Sequence, residues 1–75
     1  MRPRHPDKHI EEAIQYAEER GWRVQMSKGH SWGFVLCPQY GQGDGCEVTV
    51  YSTPKVPEDH ARRIRRRVDR CTHSP

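Results

Sequence analysis

The apolar residues of this 75-residue chain predict an α+β domain in the order α-β-β-β-α, a three-stranded antiparallel sheet with two helices on one face. Two observations carry that prediction. Stripes of apolar residues at helical spacing occupy the two ends of the chain, and three short strand-like segments lie between them. Turn-forming residues separate the segments. There are no internal repeats and no linker long enough to divide domains, so residues 1–75 read as one small domain.

Residues 1–6 hold two prolines and read as an extended lead-in. Asp7 is a good N-cap, and Glu11 and Glu12 lie where acids favour the helix dipole. Ile10, Ala13, Ile14 and Ala17 then form one stripe, and Gly21 is a natural residue just past a helix end, which places the first helix over 8–20. Trp22, Val24 and Met26 share one face of a half-buried first strand. The turn at 27–29 leads to a second strand over 31–37, whose Phe34, Val35 and Leu36 are bulky or β-branched. The Gly-rich segment 38–45 reads as a hairpin loop. In the third strand, 46–51, Cys46, Val48 and Val50 point inward, and Glu47, Thr49 and Tyr51 point to a face left open to a ligand or partner. Pro57, Glu58 and Asp59 suit a helix start, and Ala61, Ile64, Val68 and Cys71 fall on one side of a second helix over 57–71.

Only 32% of residues are hydrophobic and 31% are charged, so the core is thin. A domain near this size limit often draws stability from a metal, a disulfide or a partner. The net charge of +3 hides an asymmetry. Residues 55–75 hold seven basic and three acidic side chains, whereas the first 54 hold six and seven. A basic end of this kind is expected of a surface that meets phosphate. No apolar run is long enough to cross a bilayer. The N-terminus lacks the hydrophobic segment of a signal peptide, and three cysteines do not make a simple secreted disulfide framework, so a cytoplasmic protein is expected.

Two features bear on chemistry. His30 lies between Gly29 and Ser31 at the entry to the second strand, with Lys28 nearby. Histidine gives and takes a proton near neutrality, and a strand entry aims a side chain outward; an exposed turn residue fits the same position. His5 falls in the lead-in, His9 and His60 in early helical turns and His73 near the terminus, and these four read as surface residues. The second feature is the helix 57–71. Its six arginines exceed what solubility requires, and arginine favours bidentate phosphate contacts, although charge runs are commonly solvated faces. Trp32, Tyr40 and Tyr51 are of a type that stacks on bases or anchors loops.

Gly21-Trp22 after the first helix, Lys28-Gly29-His30 before an aromatic strand with Phe34, and Thr53-Pro54-Lys55 with Pro57 leading into a basic helix together resemble the HicA-type mRNA interferase toxins. The resemblance covers nearly the whole chain in short motifs. It implies a double-stranded-RNA-binding-domain-like fold. It also implies the role of an endoribonuclease toxin in a type II toxin–antitoxin system, with mRNA as substrate and a cognate antitoxin as partner. The family's single catalytic histidine maps to His30. Two features depart from the pattern: Gly29 stands where the family has Ser or Thr, and the hairpin loop is longer and flanked by cysteines. RNA supplies its own 2′-hydroxyl nucleophile, so the chemistry needs proton transfer, for which His30 is suited, and charge stabilisation, for which Lys28 is suited. No metal is required for it. Lys55, Arg62, Arg63, Arg66 and Arg67 are the candidate RNA contacts. A non-catalytic RNA-binding module of the same fold and a small zinc-stabilised protein-interaction domain are the alternatives.

If the hairpin pairs residue 37 with 46, Cys37 and Cys46 share the inward face with Val35 and Val48. The second helix returns antiparallel to the third strand and brings Cys71 back toward them, with His73 two residues on. Cys37, Cys46, Cys71 and His73 are the ligand types of a closed structural zinc site. Their spacing is not a standard motif, and free thiols or one disulfide are the other readings.

Overall fold

The computed structural model describes residues 3–29, 31–38 and 46–71. Its elements are α1 (Lys8–Glu19), β1 (Arg23–Met26), β2 (Gly33–Leu36), β3 (Glu47–Val50) and α2 (Pro57–Arg70). The strands form one antiparallel sheet in the order β1-β2-β3, so the α-β-β-β-α expectation holds. The hairpin loop between β2 and β3, apart from Pro38, lies outside the described residues.

Local chemistry sets the limits of α1. The Asp7 carboxylate accepts from the Ile10 N–H at 3.1 Å, satisfying one of the donors that a helix start leaves without a partner. At the other end Gly21 adopts φ +88°. The Gly21 N–H donates to the Glu18 carbonyl at 3.0 Å and the Trp22 N–H to the Ala17 carbonyl at 3.1 Å. That pair of bonds is a Schellman motif, which glycine enters without steric cost. The turn delivers Trp22 into the core, where it is 3% exposed.

Register divides the sheet into two faces. Val24, Val35 and Val48 form one rung, and Met26, Gly33 and Val50 another on the same side. Ile10, Ala13, Ile14 and Ala17 of α1 and Ala61, Ile64 and Val68 of α2 bury themselves with this side. Met26, at the end of β1, is 39% exposed, so β1 is less covered than its alternation suggests. The opposite side carries exposed Arg23, Gln25 and Glu47 and half-buried Phe34 and Thr49. Leu36 on that side is nevertheless only 4% exposed. The second face is therefore not uniformly open.

The two helices run the same way along each other. His9 in the first turn of α1 meets Glu58 in the first turn of α2 at 3.6 Å. Further along, the Tyr16 hydroxyl donates to the Asp69 carboxylate. The Arg20 guanidinium lies 3.5 Å from the Tyr16 ring centroid and that of Arg65 lies 5.3 Å from it, so cations from both helices flank one aromatic ring. β3 runs antiparallel to α2, as the cysteine argument required.

Gly33 is required by close approach of backbone. A Cβ there would stand 2.7 Å from the Gln25 carbonyl oxygen, whereas one at Gly29 would meet only the Ser27 hydroxyl, at 3.7 Å. Gly33→Ala is expected to destabilise the domain by about 1–3 kcal/mol, as overpacking does. Gly29→Ala is expected to stay within about 0.5 kcal/mol. Urea unfolding of both variants checks the contrast.

Candidate nucleic-acid interface and cysteine cluster

The apolar stripe of α2 leaves Arg62, Arg63, Arg65, Arg66, Arg67 and Arg70 exposed. Arg67 and Arg70 in the last turn complement the helix dipole, as Glu58 and Asp59 do in the first. Arg62 pairs with Asp59 at 3.7 Å, an exposed contact of little energetic weight. Arg67 reaches across to β3 and donates to the Glu47 carbonyl at 3.5 Å. Lys55, in the segment leading into α2, is exposed as well.

The turn between β1 and β2 lies at the same end of the sheet as the close of β3. Met26, Gly33 and Val50 share its last rung, and the Trp32 N–H donates to the Val50 carbonyl at 2.9 Å. Lys28 and Gly29 are exposed in this turn, with the Gly29 N–H held by the Ser27 hydroxyl at 3.1 Å. His30, Tyr40 and His73 lie outside the described residues. The structure therefore brings the Lys28 turn and the start of α2 to one end of the sheet.

Two histidines read from the sequence as surface residues are buried: His5 is 5% exposed and His60 8%. The lead-in is non-helical as expected, but it is docked. The Asp7 N–H donates to His5 Nδ1 at 2.9 Å, so Nδ1 is unprotonated and His5 Nε2 carries the hydrogen donated to the Tyr51 carbonyl at 2.9 Å. The Tyr51 N–H donates to His60 Nε2 at 3.2 Å. One residue's backbone is thus gripped from both sides by neutral imidazoles. The His5 N–H bonds the Glu11 carboxylate at 2.8 Å, and the His5 ring lies 5.1 Å from that of Trp32. Trp32 is therefore half-buried against the core rather than open to stacking, whereas Tyr51 is 52% exposed. His9 remains a surface residue, as expected.

The three cysteines converge at the other end of α2. Cys37 follows β2, Cys46 precedes β3 and Cys71 caps α2, and their sulfur atoms all lie within 4.8 Å of one another. The Cys37 N–H donates to the Cys46 carbonyl at 3.0 Å, which is the 37–46 pairing expected from the register. The Cys46 N–H turns to the Cys37 sulfur at 3.0 Å. Burial, with a hydrogen bond to Cys71, pushes the Cys46 thiol up to about 11. None of the three cysteines forms a disulfide in the structure, and their sulfur atoms are close enough to bind a metal ion. A zinc ion holds sulfur atoms about 3.8 Å apart at bonds of about 2.3 Å, so a contraction of about 1 Å suits the cluster to it.

Comparison with family models, curated proteins and solved structures finds no match. No helix among the described residues is long and apolar enough to cross a membrane.

Burial, reinforced by the charge of Arg63 and by His5, holds the His60 pKa below its ordinary 6.5. Its folded value is the depressed one, so its contribution to stability is complete above about pH 6.5 and is lost as the pH falls toward the folded value. The expected result is a chain that loses stability on acidification below about pH 6.5. His60→Leu should flatten that loss and, by leaving the Tyr51 N–H without its acceptor, lower stability at pH 7.5 by about 1–3 kcal/mol. Denaturant melts between pH 5 and 8 measure both.

Proposed function

We propose that this chain is an RNA-binding and RNA-cleaving domain of the HicA type, stabilised by zinc. The observation that carries the reading is the arginine face of α2, exposed beside β3 on a helix that starts at the end of the sheet where the Lys28 turn lies. Lys55, Arg62, Arg63, Arg66 and Arg67 meet phosphates along an RNA strand. His30, next to Gly29 in sequence, removes the proton of a 2′-hydroxyl, whose oxygen attacks the adjacent phosphorus and displaces the 5′-oxygen. The displaced oxygen takes a proton from solvent water, and the protonated His30 returns its proton to solvent, leaving a cyclic phosphate and a 5′-hydroxyl. Lys28 offsets the charge that develops on the phosphorane oxygens. An antitoxin that neutralises the domain would cover the same basic face.

Zinc in this reading is structural. Cys37, Cys46 and Cys71 supply thiolates, and His73 is the proposed fourth ligand, a donor set suited to a closed tetrahedral site. A Cys46 thiol that is protonated at neutral pH must release its proton on binding. Affinity for the metal therefore rises with pH.

Two outcomes check the proposal. Protein purified without chelator should hold close to one zinc per chain, and chelation or Cys46→Ser should lower its melting temperature; well under one zinc per chain would remove the metal from the account. Against a structured mRNA, His30→Ala should lose cleavage by about a hundred- to ten-thousand-fold with RNA affinity and fold retained. RNA binding without cleavage in the wild type would instead leave a non-catalytic module.

A further inference from the structure

The edge of β3 and the adjacent side of α2 enclose a cleft of about 270 Å³ lined by Glu47, Thr49, Tyr51, His60, Arg63 and Arg67, together with Val48. We infer that this cleft is the subsite for one nucleotide of a single-stranded RNA, with Arg63 and Arg67 on the phosphodiester and Tyr51 against the base. This rests on the RNA-binding reading and locates it.

Arg63 and Arg67 are one helical turn apart on the side of α2 that faces β3, and neither has an ion pair among the described residues. Two guanidinium groups at that spacing offer paired donors to the oxygens of a phosphate, a geometry that a lysine pair lacks. The Tyr51 ring is half exposed and packs against the His60 ring with centroids 5.3 Å apart. A tyrosine held in that way is a flat, fixed platform for a base. The volume lies at the small end for ligand sites, enough for a single nucleotide and too small for a helix. Glu47 is the one acidic side chain lining the cleft, at the Arg67 end.

The free edge of a sheet is also where an extended peptide can add as a further strand. Here three of the edge groups are already taken. Val48 and Val50 bond toward β2, so Glu47, Thr49 and Tyr51 turn their N–H and C=O groups to the edge. Arg67 occupies the Glu47 carbonyl, His60 the Tyr51 N–H and His5 the Tyr51 carbonyl. A peptide would have to displace all three. A nucleotide uses the side chains and leaves those bonds in place.

The test is binding of a fluorescein-labelled single-stranded RNA of about eight nucleotides, within the usual site size for such surfaces, read by anisotropy at fixed salt. Arg63→Gln/Arg67→Gln is compared with Arg65→Gln/Arg70→Gln, which removes the same charge away from the cleft. The cleft variant should weaken binding about tenfold more than the control, and its salt dependence should fall by about two phosphate contacts. Tyr51→Ala should weaken binding about fivefold or more, as loss of one stacked base does, and Glu47→Gln should strengthen it. Equal loss in the two arginine pairs with no effect of Tyr51→Ala would overturn the subsite while leaving RNA binding on α2 intact. Absence of RNA binding by the wild type would overturn the RNA reading and the subsite together.

Discussion

The backbone of Tyr51 is held between His5 and His60, and much of the arrangement of this small domain depends on that grip. It ties the lead-in to the end of β3 and the first turn of α2, two elements that Val50 and Ala61 also join through the core. Each bond is a neutral hydrogen bond worth only about 0.5–1.5 kcal/mol in net stability. Their weight lies in what happens without them. Both polar groups of Tyr51 face the sheet edge under partly buried surroundings, and leaving them without partners would cost more than the bonds contribute. The histidines satisfy these groups and occupy the end of the edge that another chain would have to pair with.

The other end of α2 is held by different chemistry. Cys71 caps the helix beside Cys37 and Cys46, and one turn earlier Arg67 bonds the Glu47 carbonyl. Between these two ends lies a core of short aliphatic side chains around the buried Trp22, with Tyr16 and Trp32 packed against it. Such a core is thin for a domain of this length. Contacts near its two ends tie α2 to β3, and in the proposed RNA-binding role that orientation lets its arginines act as a group. A helix free to rock would present the same charge with no defined geometry for a phosphate.

Much of this was legible in the sequence because it follows from periodicity. Ile10, Ala13, Ile14 and Ala17 are all fully buried, and the Ala61–Ile64–Val68 stripe is buried where its spacing placed it. The alternation of Cys46, Val48 and Val50 fixed the inward face of β3, and with it the meeting of the cysteines. What periodicity does not encode is a side chain recruited by distant backbone. His5 sits between Pro3 and Pro6 and His60 among charged residues, so each reads locally as a surface histidine. Their burial depends on Tyr51, which is 46 residues from His5. Gly33 was similarly silent: the need for glycine arises from the Gln25 carbonyl on the neighbouring strand. Leu36, on the face opposite the helices, is buried against the alternation.

The most direct measurement is amide hydrogen exchange at Tyr51 in the free protein near pH 7.5. An amide just past the last rung of an edge strand, pointing away from its neighbour, has no ladder partner and ordinarily exchanges almost as fast as in an unfolded chain. If His60 and His5 grip this residue, its protection factor should lie within about tenfold of that of Val48, whose amide bonds into the sheet. A Tyr51 amide exchanging at close to the unfolded rate, with Val48 protected, would contradict the account.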